Sequence, residues 1–339
     1  MSAVPAPPLD ADVLAIVVAR IGDTLLVTPA LRALKAAVPQ GRLTVLAHRN
    51  RAPLLENLPF IDRLGTIGKR AAPWRGHLPL PRHDLAVVWG HDRPLVAYGL
   101  RRARRVVTFE SGGLPASSRL VQVKRPSASI HAVRERLLLT EAAGIASQDL
   151  KLAYAVTPQE ADAARRWLAS LGAGSPVVGI QPVSFPTKPQ RDWPVESFAA
   201  LLRSLAAGYP RASFVILGDQ AALAAAGRLR AAVGERVIVA AGRFPLRQSA
   251  ALIGRLDLYI GVDTGPTHIA GALGTPMVAL YHCSYPGRNL IPLEHAALTM
   301  IEHPATGLPA AGIESSMADI PVEAVQRAAV DLLARRPPP

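Results

Sequence analysis

The chain has 339 residues, half of them apolar, and one cysteine, Cys283, with a formal net charge of +13. That length and apolar content suit two domains of ordinary size and exclude a disordered or low-complexity chain. A lone cysteine excludes an internal disulfide and a cysteine-based zinc site, and no apolar run approaches membrane-spanning length.

The first residues, MSAVPAPPLDAD, lack a charged leader and long apolar core, so the expected location is cytoplasmic. The charge is uneven. Residues 1–150 hold 21 Lys and Arg against 11 Asp and Glu, net +10, while residues 151–339 hold 17 against 14, net +3. Arg101, Arg102, Arg104 and Arg105 form the densest cluster. Such a run can attract an anionic glycolipid or membrane face, or can be a solvated surface in an arginine-rich chain.

In chain order, VLAIVVAR reads as a buried strand, followed by a turn and an amphipathic helix in IGDTLLVTPALRALKAAVP, then a second strand, LTVLAH. DLAVVWG and RVVTFE are further strands, and IHAVRERLLLTEAAGI is a helix closing the first half. The second half repeats the alternation: helix PQEADAARRWLASLG, strand PVVGIQP, a helix from Pro194 to Ala207, strand SFVILG, an Ala-rich helix, strand RVIVAAG and a helix around LRQSAALIGRL. Strand LDLYIGV, helix PTHIAGAL and strand MVALY follow, and PVEAVQRAAVDLLARR is the final helix. Alternation throughout predicts two doubly wound α/β domains, 1–150 and 151–320, joined near residues 146–158, with a last segment, 321–339, free to return to the first domain.

In an open parallel sheet, ligands bind at the carboxyl ends of the strands. GVDTGPTHIAGALGTPMVALY puts Asp263, Thr264, Thr267 and His268 at such an end, where the next helix offers unpaired N–H groups and a positive dipole end suited to a phosphate. Asp263 or Thr264 could equally serve as no more than an N-cap. The first strand runs into ARIGDTLL, with one glycine, so the dinucleotide G-x-G-x-x-G fingerprint is missing, as is the Walker lysine loop. Asp10-Ala11-Asp12 spells the D-x-D of metal-dependent sugar transfer, but it stands before a strand instead of after one and is read as chance.

Three ordered blocks, RIGDTLLVTPALRALK, RDWPVESFAALLRSL and GVDTGPTHIAGALGTPMVALY, resemble glycosyltransferase family 9, the ADP-heptose:lipopolysaccharide heptosyltransferases and their relatives. The resemblance implies a GT-B fold of two Rossmann-like domains facing a central cleft, the acceptor on the first and the nucleotide sugar on the second, inversion at the anomeric carbon, and no metal or other cofactor. It places the catalytic base on Asp23 and donor contacts on Ser184, Thr187, Lys188, Arg191, Asp263, Thr264, Gly265, Thr267 and His268. Arg191 is matched to the family's phosphate-contacting cation, with Lys188 a competitor in a longer loop. The basic run at Arg101, Arg102, Arg104 and Arg105 is assigned to the anionic acceptor, and peripheral contact with the inner membrane fits the charge.

Two stretches depart from the family pattern. LGDQAALAAAGRL has Asp219 and then alanines where relatives carry a ribose-binding glutamate, and YHCSYPGRN replaces a Thr-Asp-Pro pattern. Cys283 is read as a small buried residue. The alternatives are a same-fold transferase using another nucleotide sugar and acceptor, a sugar-nucleotide epimerase with other acid and base residues, and a basic nucleic-acid-binding protein. The last has only the pI near 10.7 in its favour, and no recognition motif supports it, so no nucleic-acid partner is expected.

Overall fold

The first strand, β1 (Asp12–Val17), is buried at every position after its first. A continuous apolar run of this kind is what a strand covered on both faces requires. It lies in the middle of a parallel sheet with β2 (Arg42–Ala47), β3 (Arg63–Thr66), β4 (His83–Val88), β5 (Ala103–Phe109) and β6 (Leu120–Val123), ordered β3-β2-β1-β4-β5-β6. The helices are α1 (Ile21–Leu25), α2 (Thr28–Ala37), α3 (Ala72–Arg75), α4 (Arg93–Arg102) and α5 (Ala132–Ala142). The computed structural model describes residues 5–77, 82–90, 92–309 and 312–335. The chain divides after Ala155 into two units.

The second unit repeats the plan. Its strands are β7 (Val177–Gln181), β8 (Ser213–Ile216), β9 (Val237–Val239), β10 (Leu258–Val262), β11 (Met277–Tyr281) and β12 (Leu298–Glu302), all parallel, in the order β12-β11-β10-β7-β8-β9. Around them run α6 (Pro158–Ser170), α7 (Val195–Gly208), α8 (Leu223–Val233), α9 (Leu246–Ile253), α10 (Gly265–Leu273) and α11 (Val322–Ala334). In both sheets the strand order reverses between the first and fourth strands, β1 beside β4 and β7 beside β10. Chains leave these neighbours toward opposite sides, opening a crevice at their carboxyl ends.

Three strands escape the sequence reading: β3 (RLGT), β6 (LVQV) and β12 (LTMIE). Each is an edge strand of four or five residues without a continuous buried run. Backbone pairing to an already formed neighbour places them, and that leaves little mark on side-chain pattern.

The last helix belongs to the second unit: α11 lays Val325, Ala328, Ala329, Leu332 and Leu333 into that unit's core with Val178, Phe198, Leu202, Val278 and Leu280. Trp193 anchors its entry: the buried indole meets Phe198 edge-on at 4.8 Å, and its N–H donates to the Ile320 carbonyl at 3.1 Å. Burying so large a ring requires a partner for its one polar atom, and the turn before α11 supplies it.

At the start of the second unit, Thr157 caps α6, accepting from the Glu160 N–H at 3.2 Å, while Glu160 accepts from the Thr157 N–H at 2.9 Å. The same carboxylate takes both arms of Arg247 from α9, at 2.5 and 2.7 Å. Arg247 holds the Glu160 carboxyl below its ordinary value of 4.5, outweighing the opposite effect of burial. A lowered value in the folded state means that the stabilisation is present above the unfolded value and is lost as pH falls through the folded one. Glu160→Gln should therefore cost about 1–3 kcal/mol at pH 7. Melting curves should show the gap from wild type closing below pH ~4, and a gap independent of pH would overturn the account.

Candidate functional site

The loop after β10 is built around one oxygen. Thr267, fully buried in the first turn of α10, donates its hydroxyl to the Val262 carbonyl at 2.7 Å. That spends its only proton, so the Tyr259 hydroxyl, 2.9 Å away, donates to Thr267. Burial raises Tyr259 well above the ordinary tyrosine value, which keeps it a donor. The Thr264 N–H also points at the Thr267 oxygen, at 3.4 Å, and the Thr264 hydroxyl donates to Val262 at 3.3 Å. In this structure the Thr267 hydroxyl and the Thr264 N–H are engaged inside the loop and shape it. Gly265 opens the helix, so its N–H has no acceptor within α10, and the helix dipole points its positive end at the same place.

Across the strand-order reversal, Gly261 pairs with Gln181 of β7. A β-carbon at Gly261 would stand 2.7 Å from that of Gln181 and 2.6 Å from the Tyr259 hydroxyl, so glycine is needed for the strands to close. The Gln181 amide then donates to the Val183 carbonyl at 2.8 Å and braces the following loop. Within that loop, the Ser184 N–H donates to Asp192 at 2.5 Å and the Ser184 hydroxyl donates to the Lys188 carbonyl at 2.8 Å. Burial lifts the Asp192 carboxyl above its ordinary range, with the Ser184 bonds pulling the other way. In this structure Ser184 thus braces the loop, its hydroxyl bonded to protein. Thr187 is exposed at the loop's tip.

Arg191 and Asp263 bind the two loops together. Both side chains are buried, their charged ends form an ion pair, and the guanidinium also donates to the Asp263 carbonyl at 2.7 Å. His268, one turn into α10, brings its Nε2 to 3.6 Å from the other Asp263 oxygen, a polar approach that is too long for a hydrogen bond. Arg191 is therefore engaged by protein, whereas the half-buried Lys188 ammonium lies 4.3 Å over the Tyr285 ring. Arg191 shares that ring, at 4.7 Å. Tyr285 was missed by sequence reasoning. Its only signal was an aromatic residue in YHCSYPGRN, the stretch after β11 that departs from the family pattern.

In the first unit, Asp23 occupies the loop end of β1, inside α1 rather than at its cap, which is Arg20. Its carboxylate is 42% exposed and accepts from Arg136 of α5 at 3.1 Å. Arg136 also donates to Glu135 at 2.8 Å, Glu135 accepts from Arg125 at 3.0 Å, and Arg125 lies 4.0 Å over Phe109. This chain of alternating charges fixes the orientation of Asp23 while leaving it open to solvent.

The arginine run behaves otherwise. Arg101 and Arg102 end α4, and Arg104 and Arg105 begin β5, so the run lies at the amino ends of the strands, opposite the edge that bears Asp23. Arg102 is buried and Arg104 reaches Asp84 at 3.6 Å. The run therefore stands a strand length away from Asp23. Asp10-Ala11-Asp12 lies at the same amino edge, with Asp12 opening β1. Asp219 accepts from the Ala221 N–H at 3.0 Å as a local cap, and Cys283 is buried.

Comparison with known proteins bears on what this arrangement serves. The model of glycosyltransferase family 9 (heptosyltransferase) matches residues 94–316. Lipopolysaccharide heptosyltransferase 3 of Escherichia coli is 26% identical over 278 residues, covering 77% of this chain and 80% of the relative. Among solved structures, a family 9 glycosyl transferase from Veillonella parvula superposes with TM-score 0.81 at 20% identity, over 98% of this chain and 99% of that one. The E. coli ADP-heptose LPS heptosyltransferase II superposes with TM-score 0.78 at 22% identity, over 96% and 99%. The structural likenesses establish a shared α/β fold of two Rossmann-like units, the GT-B type. With a family pattern spanning most of the chain and running through both sheets, the protein belongs to glycosyltransferase family 9 and is a glycosyltransferase.

Proposed function

We propose that the protein transfers a sugar, heptose from ADP-heptose, with inversion and without a metal ion, onto a lipopolysaccharide core or related surface-glycan acceptor. The observation that carries this reading is the joining of Arg191, Asp263, His268 and Lys188 beside the start of α10, at the strand-order reversal of the second sheet. The names of the E. coli relatives support the donor and the acceptor class. The second unit takes the donor and the first the acceptor, at the inner face of the cytoplasmic membrane.

In the reaction, an acceptor hydroxyl oxygen attacks the anomeric carbon as the bond from that carbon to the diphosphate breaks, and the diphosphate leaves with the electron pair. One displacement gives inversion. The growing negative charge is stabilised where it appears by the Lys188 ammonium, the Gly265 N–H and the dipole of α10. Arg191 neutralises Asp263 and sets its direction, so that Asp263 can accept a hydroxyl of the donor sugar while its other oxygen faces His268. Asp23 takes the acceptor's proton, with Arg136 holding the carboxylate in place.

Melting-temperature shifts across a panel of nucleoside diphosphates and their sugars should be largest for ADP and ADP-heptose, because a ligand of the folded state raises its stability. A preference for uridine, guanosine or thymidine nucleotides would sink the ADP-heptose reading and leave the transferase intact.

Two cations in one loop call for separate roles. Lys188→Ala should weaken ADP binding roughly tenfold to hundredfold by calorimetry with the melting temperature unchanged, since the ammonium is half-exposed. Arg191→Ala should instead lower stability by about 3–5 kcal/mol, because Asp263 is left buried without its partner. Unaltered ADP affinity in Lys188→Ala would return the phosphate contact to Arg191.

Asp23→Asn keeps size and the hydrogen bond with Arg136 but removes the base. Turnover should fall roughly a hundredfold to ten-thousandfold while donor affinity and melting temperature stay as they are. Near-normal turnover would mean that the proton leaves by another route.

A further inference from the structure

The first sheet has two edges, and only the carboxyl edge enters the reaction proposed above. The amino edge carries a cavity of about 450 Å³ between α3, α4 and the strand beginnings, lined by His77, Arg82, Arg101 and Arg119 over Ala97, Leu100 and Pro115. Arg82 immediately precedes β4, Arg101 is the penultimate residue of α4, just before β5, and Arg119 immediately precedes β6. All three therefore stand at the amino ends of neighbouring parallel strands. β4 is six residues long, which at ~3.3 Å per residue sets them roughly 20 Å from the carboxyl edge that bears Asp23.

Two of the three arginines are held in place. The buried Gly76 lies against the stem of Arg101, so closely that a β-carbon there would come within 2.9 Å of its Cδ. Arg119 donates to the Ala103 carbonyl at 3.2 Å, which fixes its guanidinium at the rim. Among the described residues no carboxylate lies within ion-pair distance of Arg82, Arg101 or Arg119, although Arg104, in the same run, has Asp84. The helix dipole accounts for a cation at the end of α4 but not for Arg82 or Arg119, which approach from other elements. Three like charges brought to one concave wall repel one another, and a multiply charged anion removes that cost.

We propose that this cavity binds a phosphate group. Planar guanidinium forks grip phosphate oxygens in pairs, and three such exposed groups lining one hollow match a group with two or more negative charges. The phosphate is either that of a soluble ligand or the head group of an anionic lipid. The site is distinct from the donor loops and does not depend on the identity of the sugar transferred.

Inorganic pyrophosphate titrated calorimetrically into the full-length protein is the direct probe. Wild type should show a component that weakens at least tenfold in R82A/R101A/R119A, while R63A/R104A/R134A, which removes equal charge from exposed positions outside the cavity, keeps it. The donor loops are untouched in both variants, so binding that remains in the cavity variant belongs to them. Arg101→Gln alone should lose part of the same component and covers the case in which the triple variant fails to fold. Co-sedimentation with vesicles separates the sources. Loss of binding to phosphatidylglycerol–phosphatidylcholine vesicles in the cavity variant alone assigns the phosphate to a lipid head group, whereas loss confined to pyrophosphate assigns it to a soluble ligand. Identical isotherms and sedimentation for wild type and both cavity variants, or equal losses in the charge-matched variant, would overturn the proposal.

Discussion

A carboxylate and a guanidinium withdrawn from water must find each other, and the second unit is organised so that they do. Arg191 comes from the loop after β7 and Asp263 from the loop after β10, far apart in the chain but neighbours because β7 and β10 pair directly. Each charge alone in that interior would cost several kcal/mol, and together, with the added bond to the Asp263 carbonyl, they offset one another. The pair closes one loop on the other. It fixes the direction of Asp263, brings His268 to its second oxygen, and sets the Arg191 guanidinium over Tyr285 beside Lys188. The polar edge of this unit follows from satisfying one buried ion pair.

Around that pair the hydroxyl groups serve as structure. Thr267, Thr264 and Ser184 have the residue types expected of phosphate donors, yet each gives its proton to a nearby carbonyl. Buried carbonyls left behind by a sharp turn need donors, and a hydroxyl already in the turn is the nearest one. What remains is the Gly265 N–H at the helix beginning and a half-buried lysine on an aromatic ring.

The first unit uses the same sheet order with different chemistry. Its reversal between β1 and β4 carries Asp23, exposed and oriented by Arg136, where the second unit carries a buried pair. Fold alone does not distinguish the two edges; the side chains do. Polarity of the strands also separates groups that are close in sequence logic. The arginine run is a short step from β5 in the chain and a full strand length from Asp23 in space, because a parallel sheet sends all its carboxyl ends one way.

Much of this was legible in the sequence. Continuous apolar runs gave the central strands, Pro and Gly at the ends of PTHIAGALG gave α10, and regular alternation gave two doubly wound units, since both depend on local pattern that every such fold must satisfy. The residues at the loop end of β10 could be named for the same reason, since a strand's carboxyl end is a position in the chain, whereas Asp23 after β1 and Arg191 after β7 were named from the family resemblance. Their partners could not be. That Arg191 is spent on Asp263, that Thr267 turns inward to Val262, that Tyr285 carries two cations and that α11 joins the second core are facts about which distant segments meet. The short edge strands β3, β6 and β12 belong with them, having little pattern of their own and existing because a neighbour offers its backbone. Residue type and local pattern set what each segment can do, and only the packing of segments far apart in the chain decides which of those capacities face the ligand and which are consumed in holding the protein together.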